Sequence, residues 1–395
     1  MRELKNNVFY VGVDDFDTTL FESQYVIPNG VSYNSYVICD KKIAILDTVD
    51  AVMAEEWQKN LYEVFADKEP DFLVVHHMEP DHSAMIKWTL EKWPNLKLVA
   101  SAKALQMIPN FFENIDLENR TIAVKEGDEL LLGSHILTFY TAPMVHWPEV
   151  IVSYDLTEGV LYSADAFGKF GALSKCGFTG KEDADWACEA RRYYFNIVGK
   201  YGNQVKGVLA KLSKLQINAI RPLHGPLLED DLDKYLGLYT TWSSYEPETK
   251  GVFIAVASIY GGTMEVANKL AELLNAKGVT KVVVSDLCRS DMAENVEDAF
   301  RYSHIVLAAS SYDGGVFTPM ADFILRLREK GYTKRTIGLI ENGSWAPCAA
   351  RVMKDQLNNF KNVDLLDCIT TIRSRMKSSD IPQLQSLAQA IIESM

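Results

Sequence analysis

Positive charge is scarce in this chain, long apolar runs are absent, and none of its cysteines sits close to another. Forty Lys and Arg face 53 Asp and Glu, a net charge of −13 over 395 residues. Such a surface repels phosphate backbones and anionic headgroups, which excludes broad binding to nucleic acid or to a membrane. No apolar stretch approaches the ~20 residues needed to cross a bilayer. The opening MRELKNNVFYVGVDDFD has no apolar core or cleavage-like segment. A secretion signal is therefore not expected, and the chain reads as cytoplasmic. The six cysteines, Cys39, Cys176, Cys188, Cys288, Cys348 and Cys368, form no CxxC pair. That disfavours an iron–sulfur cluster, a tetrathiolate iron site and a zinc ribbon. They are expected to be reduced, packed thiols. No GxGxxG is found, so a Rossmann-type dinucleotide site is not expected.

What is present is globular: 48% apolar and 11% aromatic residues, in a length that exceeds one ordinary core. The polar, proline-containing WSSYEPETKG (242–251) precedes a change of rhythm. The expected domains are 1–248 and 249–395. In the second, the apolar runs VFIAVA, KVVVSD, HIVLAA, TIGLIE and VDLLD alternate with stretches of helical spacing such as EVANKLAELLNAKG. This pattern predicts an α/β domain, a doubly wound, five-stranded parallel sheet. The first domain instead has short strands in quick succession, with a hairpin at YVICDKKIAILDTV and helices between some of them. An αββα arrangement, two sheets sandwiched between helices, accounts for this.

The densest chemistry lies in LVVHHMEPDHSAM (73–85), where an apolar run gives way to His76, His77, Glu79, Asp81 and His82. Three later runs end in the same manner, at His146, Asp165 and His224. Strand ends aim several side chains into one crevice. Residues 77, 79 and 81 are expected to project together from an extended segment. Four imidazoles, three carboxylates and no thiolate suit two metals sharing a bridging carboxylate, with iron, manganese and zinc all compatible. A glutamate at the second motif position makes the site harder and more anionic, which suits iron cycling between oxidation states.

A second constellation opens the C-terminal domain. ASIYGGTMEVANKL places a glycine loop with hydroxyls between a strand and a helix, the layout that binds a phosphate. SSYDGGVFTP (310–319) and ENGSWAPC (341–348) follow later strands. Each combines glycine with an aromatic, Tyr312 or Trp345, that could cover a flat ring.

HHMEPDH, with MVHWPEV, LYSADAFG and RPLHGP, resembles the metallo-β-lactamase-like domain of flavodiiron proteins, the A-type flavoproteins. Hydrolases of that superfamily commonly carry HxHxDH. This chain has HxExDH, the variant associated with the redox-active di-iron branch. The resemblance implies that His77, Glu79 and His146 hold one iron and Asp81, His82 and His224 the other, with Asp165 bridging. The three later loops resemble those of a flavodoxin holding FMN, on Ser258, Ile259, Tyr260, Gly261, Gly262 and Thr263, on Ser310, Ser311, Tyr312, Asp313, Gly314 and Gly315, and on Asn342, Gly343, Ser344 and Trp345. The third loop departs from the family's glycine- and aromatic-rich version at Ala346-Pro347. The family implies an oxidoreductase that reduces dioxygen to water, nitric oxide to nitrous oxide, or both, with electrons passing through FMN to the irons. It also implies a head-to-tail homodimer or a dimer of dimers. With no further module after Met395, a separate electron donor such as rubredoxin is expected. Tyr25, Trp147, Tyr193 and Tyr194 are candidates for tuning the substrate. The competing expectation is a two-zinc hydrolase of the metallo-β-lactamase superfamily fused to a regulatory flavodoxin-like domain.

Overall fold

The computed structural model describes residues 1–395 and divides them into two units, Met1–Thr240 and Thr241–Met395. In the first unit, one sheet carries seven strands, in spatial as in chain order: Arg2–Glu3, Val8–Tyr10, Tyr36–Cys39, Ile43–Leu46, Phe72–Val75, Lys97–Ser101 and Thr121–Val124. It is antiparallel through the Tyr36–Leu46 hairpin and parallel from Ile43–Leu46 onward. A second sheet holds Glu129–Leu131, Ile136–Thr141, Ile151–Asp155, Val160–Tyr162 and Ala219–Arg221, antiparallel except for its last pair.

The sandwich follows from side-chain alternation. Val74 and Val99 of the first sheet pack with Phe139, Ile151 and Tyr162 of the second in one buried cluster. The neighbours of Val74, Leu73 and Val75, are equally buried but point the other way, beneath helices. The helix Ala54–Phe65 covers its sheet with Trp57, Leu61 and Phe65 at four-residue spacing and carries Glu55 and Glu56 in its first turn, where the helix dipole favours acids.

The second unit is a parallel sheet of Thr249–Ala257, Val282–Asp286, Tyr302–Tyr312, Arg335–Asn342 and Val363–Ile372. Its order is second, first, third, fourth, fifth, with the short Gly315–Val316 folded back on the third. The helix Gly262–Ala276 buries Val266, Ala267, Leu270 and Leu274, at helical spacing, against it. Segment 241–248 is fastened to this unit because the Arg335 guanidinium donates to the Tyr245 carbonyl at 2.6 Å, and it is braced internally by the Trp242 indole, which donates to Glu248 at 2.8 Å. No helix is long and apolar enough to cross a membrane.

Candidate metal centre and phosphate-binding loops

Every one of the seven ligand-type residues lies just past a strand of the first unit. His77 and Glu79 follow Phe72–Val75, but Pro80 begins a helical turn, Pro80–Ser83, that carries Asp81 and His82. Residues 77, 79 and 81 therefore do not share one extended edge, as the sequence pattern suggested. Proline fixes the backbone angle of a first helical residue, and the turn swings Asp81 away from Glu79. His146, Asp165 and His224 follow Ile136–Thr141, Val160–Tyr162 and Ala219–Arg221 of the other sheet.

Two clusters result, His77–Glu79–His146–Asp165 and Asp81–His82–His224. Glu79 Oε2 lies 3.2 Å from His77 Nε2 and 2.9 Å from His146 Nε2, and the two nitrogens are 3.3 Å apart. Asp81 Oδ2 is 3.3 Å from the Nε2 atoms of both His82 and His224, which face each other at 2.9 Å. Asp165 addresses both clusters. Its Oδ2 lies 3.2 and 3.3 Å from His77 and His146, and its Oδ1 lies 3.4 and 3.6 Å from His82 and His224.

Backbone and side-chain partners outside the clusters fix the imidazoles. His224 Nδ1 donates to the Ser32 carbonyl at 2.8 Å, so its Nε2 is the bare nitrogen. The Asn34 amide donates to the carbonyls of Pro222 and Gly225 at 2.8 Å and holds that loop. Thr48 binds the His82 carbonyl through both its amide and its hydroxyl. His77 Nδ1 lies 2.7 Å from Glu149 Oε1, which also accepts the Met78 amide. Glu149 was not singled out in the sequence, although a charged residue leading straight into the buried strand Ile151–Asp155 is a usable signal. Ser32 left none, since any residue offers a carbonyl. Of the remaining histidines, His76 is bound between Asp47 and Ser153, His135 pairs with Asp155, and His304 bonds Ser303 and Ser394.

The donor set fits a metal pair. Both oxygens of Asp81 and both of Asp165 are buried without a hydrogen-bond partner, an arrangement too costly for carboxylates unless cations complete it. The Nε2 atoms of His82 and His224, turned toward each other at 2.9 Å, make the same point.

Without metal, the clusters hold protons instead. Burial pushes His146 down, but the Asp165 and Glu79 carboxylates outweigh it and hold the ring up at about 9. His77 and His82 are also raised against burial, chiefly by Asp165 and Asp81 respectively. Burial pushes Glu79 up, but His146 and His77 outweigh that and set it well below the usual carboxylate range. A histidine raised on folding stabilises the folded state fully below its unfolded value of about 6.5, and that stability is lost as pH climbs through the folded value. The metal-free protein is thus expected to lose melting temperature between about pH 6.5 and 9, while the metal-loaded protein does not. Thermal melts of both forms across this range check it, and parallel curves would contradict it.

Around the clusters, the Trp147 ring meets His77 edge-on at 5.2 Å, and Tyr193 lies 5.6 Å from His224. Tyr25 instead gives its hydroxyl to the Asn196 carbonyl, and Tyr194 packs on Tyr239. Burial, then the charges of Asp165, Glu79 and Asp81, push the Tyr193 phenol well above its ordinary value.

In the second unit, Ser258, Ile259 and Tyr260 form the loop after Thr249–Ala257. Gly261, with φ +85°, leads into the helix, and no side chain caps its first turn. That leaves backbone N–H groups available for an anion. A Cβ on Gly262 would lie 2.4 Å from the Ser374 carbonyl. Asn342 binds Ser374 through both its amide and its oxygen, and Thr263 Oγ1 meets Ser310 Oγ at 2.9 Å. The second segment is not the loop expected from its sequence. Ser310, Ser311 and Tyr312 continue the strand Tyr302–Tyr312, which turns at Asp313 and Gly314 and returns through Gly315–Val316. Pairing to a neighbouring strand overrides the turn-forming composition there. Gly343, Ser344 and Trp345 lie just beyond the strand Arg335–Asn342. Ser311 Oγ accepts the amides of Cys348 and Ala349, tying the second segment to the third. Tyr260 and Trp345, 92% and 86% exposed, offer broad apolar faces beside these loops.

Residues 31–225 match a family model described as ODP family beta lactamase. A nitric oxide reductase of Moorella thermoacetica is 28% identical, over 98% of this chain and 97% of that one. A diflavin flavoprotein A 1 of Synechocystis sp. is 30% identical over 77% of this chain, which spans about half (52%) of that relative. A solved rubredoxin oxygen:oxidoreductase from Desulfovibrio gigas shares the fold with a TM-score of 0.92, covering 99% of this chain and 98% of that one at 24% identity.

Proposed function

Because the chain belongs to the flavodiiron proteins, we propose that it takes electrons from a separate redox donor, passes them through FMN to two irons, and there reduces dioxygen, nitric oxide or both. The observation that carries this reading is the Asp165 carboxylate, which turns one oxygen to each of two buried clusters. In this reading His77, Glu79 and His146 hold one iron, Asp81, His82 and His224 hold the other, and Asp165 bridges them. When bound, the iron pair would supply two electrons together to a small molecule, and FMN would relay them from the donor.

The chain's own residues shape the rest. The raised Tyr193 phenol stays protonated and can donate a hydrogen bond or a proton to a molecule held between the clusters. Phe21, 5.3 Å from the His224 ring, and Phe170, 5.1 Å from Tyr193, exclude water from that side. The FMN phosphate is assigned to the loop Ser258–Thr263. The flavin ring is assigned to Ser310–Gly315 and Asn342–Trp345. The assignment of 1–248 to the di-iron domain and 249–395 to the FMN domain belongs to the same reading. So do rubredoxin or a similar protein as donor, a head-to-tail homodimer or dimer of dimers, and a cytoplasmic setting. The head-to-tail arrangement would set the flavin of one subunit against the irons of its partner and keep the electron path short.

Metal and flavin content after purification without added metal tests the proposal, followed by anaerobic reduction and exposure to each gas. Two irons and one FMN per chain with fast reoxidation are expected. Two zincs, with ester or lactam hydrolysis in the absence of reductant, would replace this reading with the hydrolase one.

A further inference from the structure

The imidazoles of the two clusters are not held alike. His77 Nδ1 meets a carboxylate, Glu149 Oε1, at 2.7 Å, whereas His224 Nδ1 meets a neutral carbonyl, that of Ser32, at 2.8 Å. His82 Nδ1 is buried and has no partner. Glu149 itself is 2% exposed. Its Oε1 takes the Met78 amide at 2.9 Å as well as His77, its backbone carbonyl accepts the Ser101 hydroxyl at 2.7 Å, and its Oε2 is buried with no partner. The carboxylate therefore stands in a dry place beside one cluster only.

We propose that Glu149 is a positioning residue that fixes His77 and, through its charge, makes the two metal positions unequal, so that the iron at His77–Glu79–His146 is the one that remains ferric after the pair takes up a single electron. This rests on the reading that the clusters hold iron. Each cluster has one carboxylate of its own, Glu79 or Asp81, and they share Asp165, so the ligand charges balance. Glu149 is the extra negative charge hydrogen-bonded to a ligand, and it lies on the first side. Asp15 and Asp50 stand nearer the second side, but their bonds go to Tyr33, Thr18, Asp17 and Val52 and to no ligand. A carboxylate on the far nitrogen raises the basicity of a metal-bound imidazole, and a more basic ligand favours the higher oxidation state. The first electron, from an added reductant, then enters the ion at Asp81–His82–His224, and no bond forms or breaks.

Glu149→Gln separates charge from scaffolding, because a glutamine oxygen can still accept from both His77 and Met78. With ⁵⁷Fe-loaded protein, Mössbauer spectra after one-electron reduction and the potentials of both one-electron couples are the readouts. The wild type is expected to show one ferric and one ferrous site of unlike parameters. Glu149→Gln is expected to keep its melting temperature, to raise the second couple more than the first and so narrow the gap between them, and to release one iron to a chelator about 10–100-fold more readily. Glu149→Ala, which drops the hold on His77, is expected to retain one iron of two. A Glu149→Gln protein with both couples and chelator release unchanged overturns the proposal, as does loss of both irons in step. A wild type that binds no iron pair overturns the underlying reading and this inference with it, and its iron content reports that case separately.

Discussion

Replacing Asp165 by alanine is expected to strip both irons together and to abolish reductase activity, by more than about 100-fold, since even residues outside a metal's ligand set cost 10–100-fold when lost. Asp165 is the one side chain whose oxygens reach both clusters, each at 3.2–3.6 Å from two imidazole nitrogens. Without it, each cluster falls to two histidines and one carboxylate. The local backbone has other anchors, the Leu223 amide on the Ala164 carbonyl at 2.9 Å and the Gly168 amide on the Asp165 carbonyl at 3.0 Å, so a folded protein is expected. Asp165→Asn keeps the shape, loses the charge, and should fall between the two. Iron content by mass spectrometry and gas consumption with reduced FMN present check this. A variant holding one iron tightly would show that Asp165 serves one cluster and is not shared by the two.

Most of this centre was legible in the sequence because chemistry and topology coincide there. Ligand-type residues at the ends of apolar runs can converge only if those runs are strands of facing sheets, and they are. Glycine and hydroxyl residues between a strand and an amphipathic helix marked the candidate phosphate loop. What was not legible depended on contacts far apart in the chain. The family resemblance had placed Asp81 with His82 and His224, but the helical turn at Pro80 that carries it off the extended edge is not displayed by a short motif. Ser310–Tyr312 reads as a turn until a neighbouring strand pairs with it. Glu149 acquires its role only because Phe72–Val75 and Ile151–Asp155, in different sheets, bring His77 beside it. Ser374 meets Gly262 only through the strand order of the second unit.

That last contact gives the second large effect. Gly262→Ala is expected to leave the iron pair intact and to weaken flavin binding. The new Cβ would sit 2.4 Å from the Ser374 carbonyl. The carbonyl cannot retreat, because Asn342 holds Ser374 by two hydrogen bonds of 2.9 Å. Overpacking of this kind costs about 1–3 kcal/mol, and if the strain falls on the loop, FMN affinity drops roughly 5- to 150-fold. Fluorescence titration with FMN measures the affinity directly. Donor-driven turnover should fall with flavin occupancy and recover as FMN is added in excess. Wild-type affinity in the variant would show that the loop has room the contact denies.

The seven ligands also have a mechanical meaning. Four hang from the edge of one sheet and three from the edge of the other, so a metal pair held by all of them is a rivet through the seam of the sandwich. Ions that bind only the closed form stabilise it in proportion to their affinity and free concentration. Iron starvation would then cost the cell more than a catalyst: the folded sandwich would lose the share of stability that the ions supply, and proteases would meet its opened form more often.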